Sequence, residues 1–401
     1  MDMAMNRLAR LSKKEYFWIT LLTLLVLAMH FSIILYPNSI VLDEEFYVND
    51  ARHIISGDAT LRAEHPPLGE LLITAGMLVF GDNSLGWRFF TVLMGSASIF
   101  LLYLICRRLA MSRRASFLAG FLLALENLTF VQSSVAMLDA ANVCFMLLAF
   151  WLYLRGDYPL AAVAGAFSVL IKLPGAFAFI AIGLHWLVAR RDRTRLFVLS
   201  MLLAPLLFFE LMPLLDFAIT GELVNPLNRV VNMITLSGSI KFATSPFHPS
   251  TSRPWEWLIS LKAMPYNWDP DYLAVISPTL WALILPTVAY TSYLIKKGSD
   301  AALFSVLWFA STYLVLIPLQ LITDRVTYVF YFFPTVGAVC MGLGMGLSQL
   351  LGLWQNKGRG KLRLTAISIF CLYLLLHVAV FLLLSPVFFR WVPAAIRRLL
   401  F

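Results

Sequence analysis

The most regular feature of the chain is the alternation of long apolar runs with short polar segments. Apolar runs recur from residue 17 almost to the C-terminus, and about 20 residues is the length that crosses a bilayer as an α-helix. The first run, 17–36, is too long for a signal peptide, and no small-residue cleavage site follows it. The pattern predicts an all-α polytopic membrane protein, folded as one transmembrane domain over residues 1–401.

Basic clusters predict the direction of each crossing, because Lys and Arg collect on the cytoplasmic side of membrane proteins. Such clusters occupy residues 7–14, 107–114, 190–195, 296–297 and 357–363. Any two of them must be separated by an even number of crossings. This condition predicts about eleven transmembrane helices in the cell membrane, with a cytoplasmic N-terminus.

The spans that satisfy this condition are predicted at about 17–36, 87–106, 115–131, 135–154, 196–219, 272–295, 301–322, 327–352 and 364–385. The remaining run, 159–189, lies between two cytoplasmic flanks and must therefore cross twice. Lys172 and Pro174 interrupt it near its middle. Proline breaks a helix, so we expect two short crossings with a hinge on the outer side.

Three segments outside these spans follow from the same threading. The first external loop is 37–86, the second is 220–271, and residues 386–401 form a tail that we expect to lie at the membrane interface. Within one predicted span, Gly342, Gly344 and Gly346 stand at spacing two. They lack the strand that precedes a phosphate-binding loop, so the pattern predicts close helix packing instead.

Composition supports a membrane protein and excludes some partners. Hydrophobic residues make up 60% of the chain and charged residues 13%, against about half and a quarter in soluble domains. The net charge of +9 is divided among short loops, which argues against nucleic acid. The four cysteines lack metal-ligand spacing and the six histidines are scattered, so no metal site is predicted.

The threading brings isolated ionisable residues to the outer surface. Acids and a histidine lie in the first external loop, and further charges lie at the outer ends of spans. These residues are Asp43, Glu44, Glu45, Glu64, His65, Arg88, Asp139, Lys172, Asp324 and Arg325. Ionisable groups at membrane depth are costly and usually functional. Cations suit a phosphate and a carboxylate can take a proton, so we expect an active site there. A transporter or flippase would place such residues nearer the bilayer midplane.

Several motifs resemble the protein O-mannosyltransferase family. They are "LDEEFY" (42–47), "ARHIISGD" (51–58), "EHPPLGELL" (64–72), "GWRFF" (86–90), "LIKLPGAF" (170–177), "SRPWEWLI" (252–259) and "DRVTYVFYFFPTVGA" (324–338). They occur in the family's order. The spacing is also similar to that of the aminoarabinose transferases of lipid A, which carry a lysine where His65 stands. The histidine favours the mannosyltransferase branch, and the short second loop resembles bacterial or archaeal members.

The resemblance implies a GT-C glycosyltransferase fold and an inverting reaction at the extracytoplasmic face. The donor would be mannose on a polyprenyl or dolichyl phosphate, and the acceptor a Ser or Thr hydroxyl of a protein. Membrane lipids are the other expected partners. A lipid or glycan acceptor remains an alternative. The resemblance implies no certain cofactor, although the lipid A enzymes leave room for a divalent cation.

The resemblance also assigns roles to residues. Asp43 matches the first acid of the family's pair and is the expected general base. Glu44 is the alternative base, or it orients sugar hydroxyls or pairs with a cation. Lys172 and Arg325 are expected to bind the donor phosphate, since cations suit phosphate oxygens. Glu45 is expected to be a solvated loop acid.

The remaining candidates have two interpretations each. Arg88 either positions the acidic pair or faces the phosphate, unless it forms a purely structural salt bridge. His65 either donates to the phosphate or sugar, or fixes the Pro66–Pro67 turn. Asp139 either assists the site or holds Arg88 or Lys172. Asp324 and Glu64 are assigned supporting positions.

Overall fold

The fold is mainly helical, as the apolar pattern predicts. A computed structural model describes residues 2–58, 64–244, 249–268, 271–355 and 360–388. From the N-terminus its helices are α1 (Asp2–Ile33), α2 (Glu44–Ser56), α3 (Leu68–Phe80), α4 (Ser84–Arg108), α5 (Arg113–Ala124), α6 (Asn127–Gln132), α7 (Asp139–Arg155), α8 (Tyr158–Ile171), α9 (Phe177–His185) and α10 (Thr194–Thr220). Then follow α11 (Pro226–Ser237), α12 (Glu256–Ile259), strands β1 (Ala263–Trp268) and β2 (Asp271–Val275), α13 (Pro278–Trp281), α14 (Ile284–Ile295), α15 (Asp300–Phe309), α16 (Leu316–Thr323), α17 (Phe333–Gln355) and α18 (Gly360–Leu384).

The protein is an integral membrane protein. Seven described segments are long and apolar enough to cross a bilayer: Glu15–Ile33, Ser84–Arg108, Leu173–Arg190, Thr194–Thr220, Asp300–Thr323, Val329–Gln355 and Gly360–Leu384. Shorter apolar helices occur at Leu68–Phe80, Tyr158–Ile171 and Ile284–Ile295. Large leucine side chains of α18, such as Leu372 and Leu375, are exposed, as expected of a helix that faces lipid. The total of eleven crossings stays a prediction.

Antiparallel packing of α1 and α4 places the charged ends of the molecule. At one end the Arg107 guanidinium lies 2.7 Å from the Glu15 carboxylate. At the other end Arg88 donates to the carbonyl of Ile34, at 3.1 Å. The basic clusters and the first external loop therefore lie at opposite ends of these two helices.

The interruption near Pro174 has the predicted effect. Helix α8 ends at Ile171, a 3₁₀ turn covers Leu173–Ala176, and α9 begins at Phe177. The two helices lie side by side, because a Cβ atom on Gly165 of α8 would stand 2.3 Å from the Phe179 ring of α9. Lys172 occupies the junction in an extended backbone conformation. The helix break is therefore confirmed, whereas the two crossings and the outer position of the hinge stay predictions.

Two of the three glycines of α17 pack closely, as predicted, whereas a Cβ atom on Gly346 would stand at an ordinary contact distance, 3.6 Å from the Tyr290 ring. A Cβ atom on Gly344 would stand 2.6 Å from the Ala115 carbonyl oxygen of α5, and one on Gly342 would stand 2.4 Å from Thr287 of α14. Side chains at these positions would push both neighbouring helices away. The glycines thus allow α17 to lie at the centre of the bundle.

The predicted span at 272–295 is wrong at its start. Residues 271–275 form strand β2, which pairs antiparallel with β1 and places Met264 opposite Ala274. The hairpin is held against the bundle because the Asn127 side chain of α6 donates to the Leu273 carbonyl, at 2.6 Å. Tyrosine and valine are enriched in strands, so the apolar run alone did not separate a strand from a helix.

The loops also contain more structure than the sequence pattern indicates. The first external loop, 37–86, carries helices α2 and α3, and the second, 220–271, carries α11 and α12. Helix α11 exposes the apolar side chains of Leu227, Val231 and Ile234, which suits a helix lying in the membrane interface. Of the predicted C-terminal tail, 386–401, only a 3₁₀ turn at Pro386–Phe388 lies within the described residues.

Candidate active site

The predicted site residues gather at one end of the bundle, where α2, α4, α7, α8 and α16 meet. They form two separate buried ion pairs and a group of side chains around a cavity. The first ion pair joins Glu44 to Arg88, and the second joins Asp139 to Lys172. The two pairs differ in how their remaining hydrogen-bonding atoms are used.

Glu44 and Arg88 are both completely buried. Arg88 donates from Nε to one carboxylate oxygen at 2.7 Å and from Nη2 to the other at 2.8 Å. Glu44 also accepts from the backbone amides of Val41 at 3.0 Å and Ala136 at 2.7 Å. Both oxygens therefore accept two bonds each from the protein.

Arg88 also donates hydrogen bonds to the chain that enters the first external loop. Nη1 donates to the carbonyls of Ile34, Tyr36 and Pro37, and Nη2 donates to the carbonyl of Ser39. A guanidinium has five N–H donors, and all of its nitrogens here have protein partners. This arrangement fixes the loop and leaves neither partner of the pair facing the cavity.

The second pair lies at the helix break. Lys172 Nζ donates to both oxygens of Asp139, at 2.9 and 2.8 Å. Asn142, one turn along α7, donates to the carbonyl of Lys172 at 2.9 Å and so ties the hinge to α7. The Lys172 ammonium also lies 5.8 and 5.9 Å from the ring centres of Phe330 and Tyr331.

A cavity of about 310 Å³ opens beside this second pair. Its polar lining includes Glu64, His65, Asp139, Lys172 and Arg325, and its apolar lining includes Leu173, Pro174, Phe177, Ile234, Leu316 and Leu319. The apolar part comes from the hinge, α9, α11 and α16. The cavity thus combines a charged region with a predominantly apolar wall.

Arg325 and Asp324 follow α16 and have different surroundings. Arg325 lines the cavity, and its Nη2 lies 3.4 Å from the Tyr331 hydroxyl oxygen, which accepts. Within the described ranges Arg325 forms no ion pair, whereas Asp324 lies 3.3 Å from the Arg253 guanidinium. Asp324 also accepts from the amide of Ala243, at 3.0 Å. Asp324 therefore anchors the second external loop, and Arg325 presents its charge to the cavity.

Asp43 immediately precedes α2 and is half-buried. Its carboxylate lies beside a group of tyrosines. Burial raises the pKa of Tyr47 well above its usual value, and the charges of Asp43, Asp139 and Glu70 raise it further. Burial likewise raises the pKa of Tyr266, with further contributions from Asp139 and Asp43. The two acids therefore share neighbours, although Asp43 itself is outside the cavity lining.

His65 and Glu64 are held in place by the second external loop. The His65 ring nitrogen Nε2 and the Tyr47 hydroxyl are hydrogen-bonded at 3.2 Å. The His65 carbonyl accepts from Arg229 of α11 at 2.9 Å, and Arg229 is itself paired with the buried Asp216. Ser237 donates to the Glu64 carbonyl at 3.4 Å. Both side chains line the cavity.

The structure adds residues that the sequence analysis did not single out. Tyr331 lies between Lys172 and Arg325, Tyr47 contacts His65, and Gln320 lines the cavity from α16. Tyr331 belongs to the quoted segment 324–338 and could have been found there. Gln320 gave no signal, because a single amide in an apolar run has many structural explanations. Among the described residues, no group of three His, Cys, Asp or Glu side chains is placed to hold a metal ion.

Known proteins with similar sequences include mannosyltransferases. The family model for dolichyl-phosphate-mannose-protein mannosyltransferase matches residues 64–215. A polyprenol-phosphate-mannose–protein mannosyltransferase of Corynebacterium glutamicum is 23% identical, covering 82% of this chain and 78% of the relative. The enzyme of the same name from Mycobacterium tuberculosis is 25% identical, covering 80% and 77%.

Solved structures with the same fold are membrane glycosyltransferases. The Saccharomyces cerevisiae protein O-mannosyltransferase Pmt1–Pmt2 complex, bound to the sugar donor, matches with a TM-score of 0.76 at 10% identity, over 95% of this chain and 92% of that chain. ArnT of Cupriavidus metallidurans, bound to undecaprenyl phosphate, matches with a TM-score of 0.62 at 17% identity, over 96% and 78%. These likenesses establish the GT-C fold. Together with the sequence matches and the motifs, they show a glycosyltransferase that is similar to the protein O-mannosyltransferases.

Proposed function

We propose that this protein transfers mannose from a polyprenyl or dolichyl phosphate to Ser or Thr hydroxyls of proteins, with inversion at the anomeric carbon. The observation that carries the proposal is the composition of the cavity. Lys172 and Arg325 supply positive charge at one region of its wall, and an apolar wall continues from them. A lipid phosphate has the same two parts, an anionic head and an apolar chain.

The leaving group needs stabilisation of negative charge. When the bond from the anomeric carbon to the phosphate oxygen breaks, its electron pair stays on the lipid phosphate. Lys172 and Arg325 are placed to offset this charge, in a site where burial strengthens electrostatic interactions. Asp139 accepts two hydrogen bonds from Lys172 Nζ and is proposed to hold it in position.

The acceptor hydroxyl must lose its proton while its oxygen bonds to the anomeric carbon. We assign Asp43 as the general base that receives this proton. The alternative, Glu44, has both oxygens occupied by Arg88 and two backbone amides. Glu44 and Arg88 are therefore proposed to position the loop that carries Asp43. His65 is proposed to line the donor site while its backbone fixes the turn.

We also propose that this site lies at the extracytoplasmic face of the cell membrane, with the N-terminus in the cytoplasm. The arrangement of charges supports this orientation. Arg107 and Arg113 lie near Glu15 at one end of the bundle, and cytoplasmic ends are rich in such residues. The candidate site occupies the other end. Protease protection in sealed right-side-out vesicles would test the orientation.

The assignment of the base is tested with neighbouring acids. We expect Asp43→Asn to lower transfer by about 10²- to 10⁴-fold, the usual contribution of general base catalysis. The assay incubates purified protein with polyprenyl-phosphate-mannose and a Ser/Thr-rich peptide, and mass spectrometry follows the hexose increment on the peptide. Donor binding should be retained, because Asp43 is outside the cavity lining.

Glu45→Gln provides the matched control. Glu45 lies beside Asp43 on the same segment, and its side chain is exposed, so its loss should leave transfer close to that of the unchanged protein. Near-normal transfer by Asp43→Asn would refute the assignment. If the unchanged protein bound the donor but labelled only added lipid or glycan, the acceptor part of the proposal would be wrong.

A further inference from the structure

Gln320 is a buried polar residue whose side chain has no evident structural purpose. It lies in the last turn of α16, is 2% exposed, and lines the cavity. Among the residues that the structure describes, neither its amide nitrogen Nε2 nor its amide oxygen Oε1 has a hydrogen-bond partner. Buried polar groups are nearly always hydrogen-bonded, so this amide calls for an explanation.

The other uncharged polar side chains of the cavity wall show the contrast. Asn142 donates to the carbonyls of Ser168 and Lys172. Thr312 donates to the Trp308 carbonyl at 2.8 Å, and Thr323 donates to the Leu319 carbonyl at 2.8 Å. These residues hold the protein together, whereas the amide nitrogen and oxygen of Gln320 are both buried in the cavity wall without a partner among the described residues.

The position of Gln320 relates it to the head of the donor. Its backbone carbonyl accepts from the amide of Asp324 at 2.8 Å, so it lies one helical turn before the segment that carries Arg325. In the proposed function Arg325 binds the phosphate. The sugar is bonded directly to that phosphate, which brings the sugar within reach of the same part of the wall.

The chemistry of the amide discriminates between parts of the donor. A carboxamide offers two N–H donors and one acceptor oxygen. A prenyl chain satisfies none of these, and a phosphate would accept from Nε2 but repel Oε1. Sugar hydroxyls both donate and accept, so neighbouring hydroxyls satisfy the whole amide. We propose that Gln320 binds hydroxyls of the donor sugar and so contributes to sugar specificity, an inference that rests on the proposed function.

Binding of two lipids to Gln320→Met tests this inference. Methionine has a similar length but makes no comparable hydrogen bonds. We expect the Kd for polyprenyl-phosphate-mannose to rise about tenfold or more, since two hydrogen bonds are lost. The Kd for sugar-free polyprenyl phosphate should stay within about twofold. Gln349→Met is the matched control, because Gln349 is an exposed residue of α17 that lines a different cavity.

The ratio of the two Kd values decides the outcome. A ratio in Gln320→Met equal to that of the unchanged protein would overturn the inference. If both Kd values rose equally, the amide would lie at the phosphate or the chain and not at the sugar. Donors that lack single mannose hydroxyls locate the contact. Removal of the contacted hydroxyl should weaken donor binding by the unchanged protein and leave donor binding by Gln320→Met unaffected. Transfer to peptide is measured separately, so failure of the acceptor proposal would not be mistaken for failure of this one.

Discussion

Two of the buried carboxylate–cation pairs at one end of this protein have opposite surroundings. The Glu44–Arg88 pair is enclosed by backbone groups that use its remaining hydrogen-bonding atoms. The Asp139–Lys172 pair lies on a cavity wall, with the Lys172 ammonium next to aromatic rings. The first can only stabilise the fold, whereas the second retains a face that a ligand can approach.

The comparison shows why burial and charge alone do not identify a catalytic group. Both pairs are buried charges in a membrane protein, and both would qualify as functional sites on that criterion. What separates them is the number of hydrogen-bonding positions that the protein leaves unused. A saturated pair holds elements together, and an unsaturated pair at a cavity can also bind substrate.

Breaking the saturated pair should give the largest effect. We expect Arg88→Met to destabilise the protein by about 3–5 kcal/mol or more, because Glu44 would remain buried without its cation. Four backbone carbonyls would also lose their bond from Arg88, and only Tyr36 and Pro37 keep another donor among the described residues. Since native proteins are stable by only about 5–15 kcal/mol, most of the variant should be lost from the membrane fraction or elute as aggregate in size-exclusion chromatography.

The same substitution at the other end of α4 serves as its control. Arg107 forms a partly exposed pair with Glu15, and such pairs contribute only about 0–1 kcal/mol. Arg107→Met should therefore accumulate and elute like the unchanged protein. A well-folded Arg88→Met variant with a normal melting temperature would show that the first pair is not the structural anchor described here.

The cavity-facing pair should behave differently when both partners are replaced. Lys172→Met alone leaves Asp139 buried and unpaired, so it should lower the melting temperature. Adding Asp139→Asn removes that uncompensated charge, and the double variant should recover much of the loss. Transfer should stay reduced by about 100-fold or more, because the donor phosphate lacks its cation.

Melting curves and peptide mannosylation, measured on the same preparations, separate these two effects. Recovery of transfer together with stability in the double variant would mean that Lys172 acts only through the fold. The equivalent pair of changes at the first site, Glu44→Gln with Arg88→Met, should not recover stability. There the carbonyls of Ile34 and Ser39 still lack the donor that Arg88 supplied after the charge is removed.

The sequence predicted the parts of the fold that depend on long patterns. Apolar runs gave most of the helices, and Pro174 gave the hinge, because a proline within a helical run has a local effect that needs no tertiary information. The pattern did not predict strand β2 or helices α2, α3 and α11. Those elements are short, and their stability comes from packing against the bundle, as the bond from Asn127 to Leu273 illustrates.

The sequence predicted which residues form the candidate site better than it predicted which of them contact each other. The threading placed Asp43, Glu44, Arg88, Asp139 and Lys172 on one surface. It could not say which acid pairs with which cation, because that depends on the rotation of each helix about its axis. Gln320 was missed for the same reason: only the packed structure shows that it is buried in the cavity wall while Leu321 and Ile322 of α16 are exposed.

A third ion pair extends the comparison to the exposed surface, where the effect should be smallest. The Asp82 carboxylate accepts from Arg52 Nε at 2.7 Å and from the Trp87 indole at 2.7 Å. The bond from Arg52 lowers the pKa of Asp82, burial opposes this, and the Trp87 bond and the charge of Arg52 lower it further. Both charged side chains are substantially exposed, so water and salt screen the interaction.

We therefore expect Asp82→Asn to reduce stability by only about 0.5 kcal/mol at neutral pH. Because the folded pKa is lowered, this contribution is complete above the pKa of about 3.9 of an unfolded aspartate and disappears as the pH falls through the folded value. Melting temperatures of the variant and the unchanged protein should thus differ slightly at pH 7 and converge towards pH 3. A difference in melting temperature that persisted at pH 3 would mean that Asp82 acts through packing with Trp87 and not through its charge. A difference as large as that of Arg88→Met would remove the contrast between enclosed and exposed pairs.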